Sequence, residues 1–432
     1  MKLNTKRARP RTHEKGLARH INAKEQLRRS LMACMLWENE FYEEGQSIAE
    51  RIHSAAAECS PEYVSQLAID ARQNHGLRHA PLWLAMSLIP RGGKIAGDTL
   101  AAVINRPDEL TEALAMYWKD GKRPLSAQLK RGLAEAFTKF DGYRLAKYNR
   151  NNEIKLRDVM FLVHPKAKDA EQEKVFKALA DGNLESPDTW EVALSGGADK
   201  RETFTRLLAE KKLGYLALLR NLRNMVDAGV SKKLIAQALS EGNNRGILPF
   251  QYVSAAQACP RMEPDLDTAM QKSLAAADKL PGTTVVLVDV SGSMEYGNIS
   301  KRSVLTRIDG ACALAALITG VCDDARVFSF SNQVVEVPPR KGMALIDAVK
   351  RSQRHSGTAL GAAVQTIDSQ VNYDRLIVVT DEQSNDRVPN PKGKGYMINV
   401  SSYENGVGYG PWTHINGFSE KVIDYVRESE VG

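Results

Sequence analysis

The spacing of apolar residues changes character once along this chain. From Leu31 to about Met270 apolar positions recur three and four residues apart; from Thr283 onward they gather into short continuous runs separated by helix-like stretches. In residues 47–57, Ile48, Ile52 and Ala55 stand at i, i+4 and i+7, one face of a helix. Ser60-Pro61 then supplies an N-cap followed by proline at the first helical position, opening a helix over 62–74. The same periodicity predicts helices over 80–88, 97–104, 108–117, 126–138, 143–149, 155–163, 170–180, 186–195, 200–210, 214–228, 232–239 and 249–257. Helices of about 10–15 residues joined by short loops predict stacked helical hairpins or an α-solenoid. No consensus repeats at a fixed period, so such repeats would be degenerate, in the manner of HEAT repeats.

A hinge-like helix is read over 268–279. After it, Thr283 to Val288 is a β-branched run that reads as a strand buried on both faces. Helices over 304–317, 342–351 and 360–367 alternate with strands at 324–330, 334–337, 375–380 and 395–400, the last clear strand; a helix over 418–428 closes the chain. The 324–330 and 334–337 strands form a hairpin around Ser331-Asn332-Gln333. This alternation predicts a doubly wound, mostly parallel sheet. The organisation is then a basic arm (1–30), a helical module (31–270) and an α/β domain (271–432).

Composition adds class and partner. With 43% hydrophobic residues among 432, the chain can bury substantial cores. No apolar run reaches the about 20 residues that cross a bilayer. The basic N-terminus has no apolar stretch behind it and does not read as a secretory signal. Five scattered cysteines form no C-x-x-C pair, so neither a zinc site nor a disulfide framework is indicated, and Cys312 reads as core. These features place the expected protein in the cytoplasm, as a monomer without a membrane partner.

The net charge of +7 suits a polyanionic partner. Two stretches carry much of it. Residues 1–29 form a basic arm of the kind that is often flexible and touches phosphates. Between Lys122 and Lys168, cations recur on successive elements, among them Lys130, Arg131, Lys147, Arg150 and Lys166, with Tyr143, Tyr148 and His164 interleaved. Lys and Arg neutralise phosphates and flat rings stack on unpaired bases; the plain alternative is a solvated helical face with the tyrosines in the core.

A second constellation lies in the α/β part. Asp289, Ser291 and Ser293 form a D-x-S-x-S turn at the end of the 283–288 strand. Thr358 follows Ser356-Gly357 in a loop between two helices, and Asp381 ends the 375–380 strand. Ligand sites in open α/β sheets lie at the carboxyl ends of strands. Two carboxylates with three hydroxyls suit a hard cation, Mg²⁺ first, with Mn²⁺ and Ca²⁺ as alternatives. The plain alternative here is a Ser/Gly-rich turn without metal. Glycines also cluster at Gly406, Gly408 and Gly410 near Trp412, and no chemistry is read for them.

This set, D-x-S-x-S, then G-T, then T-D, resembles the metal-ion-dependent adhesion site of von Willebrand factor A domains, a Rossmann-like fold. By that resemblance Ser291, Ser293 and Thr358 supply hydroxyl oxygens, Asp289 and Asp381 act directly or through water, and one position stays open for an acidic group from a partner. The segments Leu77-Arg-His-Ala-Pro-Leu82, Ile154-Lys-Leu-Arg-Asp-Val-Met-Phe-Leu-Val-His-Pro-Lys166, Trp190-Glu-Val-Ala-Leu-Ser-Gly-Gly-Ala-Asp-Lys200 and Leu216-Ala-Leu-Leu-Arg-Asn-Leu-Arg-Asn-Met225 are similar to the signatures of TROVE modules. TROVE followed by an A domain is the order of the Ro ribonucleoprotein family, and the resemblance covers nearly the whole chain, the arm before Leu31 excepted. It implies a bacterial or phage-borne member: a ring of HEAT-like repeats closed by an A domain, binding Y-like small noncoding RNA on a basic outer surface and single-stranded 3′ ends of misfolded RNA in its hole, for RNA quality control or processing. Carried over by position, Lys147 and His164 match the Y-RNA surface; Arg150 stands one place from the family's next basic residue, where this chain has Asn151. An exoribonuclease or RNA-repair protein is the partner implied for the metal site.

Two other classes compete. A metal-dependent adhesion or scaffold module would leave the basic helices merely solvated. A Mg²⁺-dependent hydrolase would use Asp289 and Asp381 for phosphoryl chemistry. No P-loop, G-x-S-x-G or H-E-x-x-H is present. The candidate donor set is also rich in hydroxyls and poor in carboxylates, which favours recognition over water activation, so the chain reads as a binder and not an enzyme. His355, alone beside Thr358, reads as loop decoration.

Overall fold

The computed structural model describes residues 11–12, 15–16, 22–33, 45–244, 247, 249–276, 279–296, 305–400, 406–407, 410–416, 423, 426–427 and 430. The chain divides into two compact units, one of residues 50–203 and the other of residues 1–49 with 204–432.

The 50–203 unit is helical. Pro61–Gln73 and Ala127–Phe137 each start where a serine side chain satisfies a free amide. Ser60 Oγ accepts from the Tyr63 amide at 3.3 Å to open Pro61–Gln73, and Ser126 Oγ does the same for Ala127–Phe137 from Leu129, also at 3.3 Å. Pro61–Gln73 packs on His79–Leu88 and Lys94–Val103; Lys94–Val103 packs on Ala127–Phe137, which in turn meets Leu156–Val163. Leu100, Leu133 and Phe137 are fully buried along this line. Lys94–Val103 and Ala127–Phe137 approach through glycines: a β-carbon on Gly132 would sit 2.7 Å from the Gly97 carbonyl oxygen. Arg72 pairs with Glu109 at 2.7 Å beneath the surface, and half-buried Arg78 pairs with Asp108 at 2.9 Å.

The other unit holds a six-stranded sheet: β1 (Leu280–Asp289), β2 (Cys322–Phe330), β3 (Val334–Glu336), β4 (Arg375–Thr380), β5 (Lys394–Asn399) and β6 (Trp412–Asn416), in the order β3-β2-β1-β4-β5-β6. All pairings are parallel except the β2–β3 hairpin. Every residue of β4 and the last six of β1 are buried, as the continuous apolar runs require of strands covered on both faces. Leaving β1, the chain turns to β2 on one side and returns as β4 on the other, so a topological switch point lies between β1 and β4. The helices Arg307–Val321 and Gly342–Lys350 cover the sheet, and Pro249–Ala258 and Glu263–Ala275 pack on them from before β1. Cys312 is fully buried, and Cys59, Cys259, Cys312 and Cys322 form no disulfide among the described residues.

The structure corrects the sequence reading in several places. The 395–400 strand is not the last. Trp412–Asn416 adds an edge strand whose burial only partly covers it, and a search for continuous apolar runs passes over Trp-Thr-His-Ile-Asn. The helix read at 268–279 begins earlier, at Glu263, with Pro264 in its first turn where a missing amide costs nothing, and ends at Ala275. The arm read as free is docked where it is described: Ala23–Ala33 is helical, and Thr12, Arg29 and Ser30 are buried. Charge density along a sequence does not reveal a partner hundreds of residues away. Of the helix read at 418–428 only Ile423, Val426 and Arg427 are described, all three helical; Gly408 and Cys34 lie outside the described residues, as does most of the arm.

Candidate functional site

The five oxygen donors read from the sequence occur on three loops at the β1/β4 switch point. β1 and β4 run side by side with Val288 opposite Val379, so Asp289 and Asp381 leave the sheet at neighbouring strand ends. Both are essentially without solvent exposure, as are Ser291 and Thr358. The Ser291 amide donates to Asp289 Oδ1 at 2.9 Å, closing the D-x-S turn. Ser291 Oγ and Ser293 Oγ lie 3.2 Å apart, and Ser293 Oγ donates to Asp381 Oδ2 at 2.7 Å. One hydrogen-bonded chain thus runs from Asp289 through both serines to Asp381. Thr358 is tied in through its backbone: its carbonyl accepts from the Asn385 amide at 2.9 Å and from Ser384 Oγ at 3.2 Å. The Gly292 amide bonds the Ser356 carbonyl at 2.9 Å, which joins the third loop to the first.

Burial drives the Asp289 carboxyl toward its protonated form, and the nearby Asp381 carboxylate adds to this. Two buried carboxylates beside hydroxyl oxygens are the donor chemistry that a hard divalent cation requires. The donor set therefore fits such an ion, and Asp289, Ser291, Ser293, Thr358 and Asp381 are the residues that would hold it. Among the described residues no group of three or more carboxylate, imidazole or thiol side chains is arranged for a metal, so any such site here relies on hydroxyls.

Three residues at this place do more than the sequence reading assigned them. Thr380, fully buried, donates from Oγ1 to Asp289 Oδ2 at 2.6 Å and accepts the Glu382 amide at 3.0 Å. Its position just before Asp381 was the available signal. Glu382 is also fully buried, with a left-handed backbone at φ +60°. Burial alone would raise its pKa, but Arg29 at 2.7 Å and His414 at 3.2 Å overcome that and hold it down to about 2. Nothing in the local sequence announces those partners. His355 is more than decoration: its Nδ1 lies 2.9 Å from Glu295 Oε2 and its Nε2 2.9 Å from the Lys350 carbonyl, tying the D-x-S-x-S turn to the loop before Thr358. The glycine cluster also acquires a place, because Gly406 lies against the Glu382 carboxylate and leaves no room for a β-carbon.

The basic residues of the 50–203 unit divide into two kinds. Arg131 is committed to structure: it pairs with Asp98 at 2.7 Å and also donates to Gln128 and to the Lys94 carbonyl. Tyr148 is covered by the Arg106 guanidinium, 4.8 Å from its ring centre. By contrast, among the described residues the side chains of Lys130, Lys147, Arg150, His164 and Lys166 have no ion-pair partner; Lys130, Arg150 and His164 are exposed, and Lys147 is half-buried. Gly142–Tyr148 and Leu156–Val163 both pack on Pro107–Tyr117 and Ala170–Asp181. On Leu156–Val163 and its cap, Arg157, Phe161 and His164 form an outward stripe at i, i+4 and i+7. Phe161 is 55% exposed and Tyr143 54%, a poor position for a phenyl ring that touches only water. Phe161 was missed because its helix also has an apolar face, and only the i+4 step from Arg157 sets it apart. His164 ends the helix in a left-handed conformation at φ 50°, and Asp158 caps its start by accepting the Lys155 amide at 2.9 Å.

A family model described as the TROVE domain matches residues 17–183 and 181–295. The chain belongs to the TROVE domain family. The match starts inside the basic arm, so the expectation that everything before Leu31 stands apart from the family pattern is corrected. It also runs through β1 and the D-x-S-x-S turn. The crystal structure of the RO (RSR) protein of Deinococcus radiodurans is similar over 92% of this chain and 97% of that one, with a TM-score of 0.58 at 18% identity, a likeness of fold. Telomerase protein component 1 of Mus musculus is 25% identical over 210 residues, which cover 45% of this chain and 8% of that protein. This TROVE chain therefore spans a small part of that curated relative's length.

Proposed function

We propose that this TROVE protein is an RNA-binding component of a ribonucleoprotein. Its basic face on Gly142–Tyr148 and Leu156–Val163 takes a small structured noncoding RNA, Y-like in kind, and single-stranded 3′ ends are its second RNA substrate, in RNA quality control within the cytoplasm. The observation that carries the reading is the outward stripe of Arg157, Phe161 and His164, together with Lys147, Arg150 and Lys166, which have no ion-pair partner among the described residues, in a chain of this family. Cations without protein partners are available to phosphates, and an exposed ring among them offers a stacking surface for an unpaired base. At the β1/β4 switch point, Mg²⁺ held by Asp289, Ser291, Ser293, Thr358 and Asp381 would supply a Lewis-acidic docking point for a carboxylate of a partner such as an exoribonuclease.

Filter binding over a salt series, with and without EDTA, tests both halves. A small structured RNA and an RNA with a single-stranded tail should bind with a log–log salt slope of roughly −0.7 to −0.9 per neutralised phosphate, unaffected by EDTA. Asp289→Ala should abolish Mg²⁺ binding and leave RNA affinity unchanged. Weak binding with a flat slope would return the basic face to a solvated surface and favour the scaffold reading.

A further inference from the structure

We propose that the docked N-terminal segment is a positioning device for the Asp381 loop, so that docking of this segment and divalent-cation binding strengthen each other. The inference rests on the metal reading above and adds to it residues that touch no ligand.

Two anchors join the segment to residues 382–384. At the first, Thr12 Oγ1 donates to the Ser384 carbonyl at 2.6 Å while accepting the Gly16 amide at 2.9 Å. Gly16 is buried here, and a β-carbon on it would lie 2.2 Å from that same carbonyl oxygen, so two backbones meet with no space for a side chain. At the second, Arg29, only 4% exposed, donates from Nη1 to Glu382 Oε2 at 2.7 Å and from Nη2 to Asn399 Oδ1 at 3.3 Å. All of these residues belong to one compact unit.

The anchored loop carries the metal donors. Glu382 follows Asp381 directly and holds a left-handed backbone, a conformation that costs free energy for a residue with a β-carbon and persists only when its surroundings fix it. What fixes it is the grip on its side chain by Arg29, His414 and the Val407 amide. Released from that grip, residue 382 can relax to the ordinary right-handed or extended regions, and the direction in which Asp381 leaves β4 changes with it. The same loop sets Thr358 through Ser384 and Asn385. Two of the five donors thus depend on residues 382–385.

The test uses the full chain and titrates Mn²⁺, with free ion followed by electron paramagnetic resonance, in wild type, Thr12→Val, Arg29→Lys and Arg29→Met. Loss of an outer partner of a metal ligand typically weakens the metal about 10- to 100-fold. That loss is expected in Thr12→Val and Arg29→Met, with partial recovery in Arg29→Lys. Because linkage is reciprocal, saturating Mn²⁺ should also slow amide hydrogen exchange in residues 22–33 of the wild type. If Arg29→Met does not fold, Thr12→Val decides, since it removes a hydroxyl at nearly constant size. A segment that only adds stability would lower the thermal midpoint equally with and without Mn²⁺ and leave the affinity and the exchange unmoved; that result overturns the proposal while the metal reading stands. A wild type that binds no Mn²⁺, Mg²⁺ or Ca²⁺ overturns both.

Discussion

The hydroxyl of Thr380 donates to the carboxylate of Asp289 at 2.6 Å and so joins the ends of two neighbouring parallel strands across 91 residues of chain. Both groups are fully buried. Thr380→Val keeps the shape and removes the donor, leaving a buried carboxylate oxygen unsatisfied. The expected cost is about 1–3 kcal/mol of stability, read from the urea midpoint at neutral pH. An unchanged midpoint would mean that solvent reaches Asp289.

Phosphate neutralisation and base stacking should separate by their response to salt. Lys147→Ala with Arg150→Ala should weaken structured-RNA binding and flatten the salt slope by about 0.7–0.9 for each phosphate no longer neutralised. Phe161→Ala should weaken binding of RNA with unpaired bases by about 1–3 kcal/mol and leave the slope unchanged. A changed slope in Phe161→Ala, or an unchanged one in the double variant, would count against these roles.

Arg131 should behave differently from its neighbours. It is paired with Asp98 and bonded to the Lys94 carbonyl across two packed helices. Arg131→Ala should therefore cost stability, by no more than about 1 kcal/mol because both partners are partly solvated, with no effect on RNA salt slope. A slope that falls with this substitution would return Arg131 to the RNA surface.

Asp309 gives a pH signature. It sits in the first turn of Arg307–Val321, where burial disfavours its charge, but the Lys350 ammonium at 2.7 Å and the Thr306 amide and hydroxyl more than offset that and hold its pKa below the ordinary 3.8. A carboxyl with a lowered folded-state pKa contributes stability that is present above its unfolded value and lost as pH falls through the folded one. Stability should therefore decline from about pH 4 downward, and Asp309→Asn should shallow that limb while reducing stability at neutral pH. Parallel pH profiles of the two proteins below pH 4 would refute it.

Legibility followed distance along the chain. Ser60 and Pro61 mark a helix start because the cap and its amide lie three residues apart, and the runs at 283–288 and 375–380 mark central strands because burial on both faces leaves an unbroken apolar signature. Asp289, Ser291, Ser293, Thr358 and Asp381 could be grouped because strand ends in such sheets point to one edge. Arg131 and Lys147 looked alike, since a basic residue does not record whether Asp98 or solvent faces it. β6 was hidden by its polar residues at a sheet edge. Thr12 and Arg29 were read as parts of a loose tail because their partners, Ser384 and Glu382, are distant in sequence and the pairing leaves no local periodicity.

The separation between Arg29 and Glu382, 353 residues, also bears on the order in which this protein can be completed during synthesis. At about 5–20 residues per second, the first helix leaves the ribosome on the order of tens of seconds before its carboxylate partner exists. Until then the Arg29 guanidinium waits on a nascent chain for a carboxylate not yet made. His414, the other partner of Glu382, arrives later still. A message truncated before β4 would yield a chain that holds Arg29 but has no Glu382 or Ser384 for the N-terminal segment to close on.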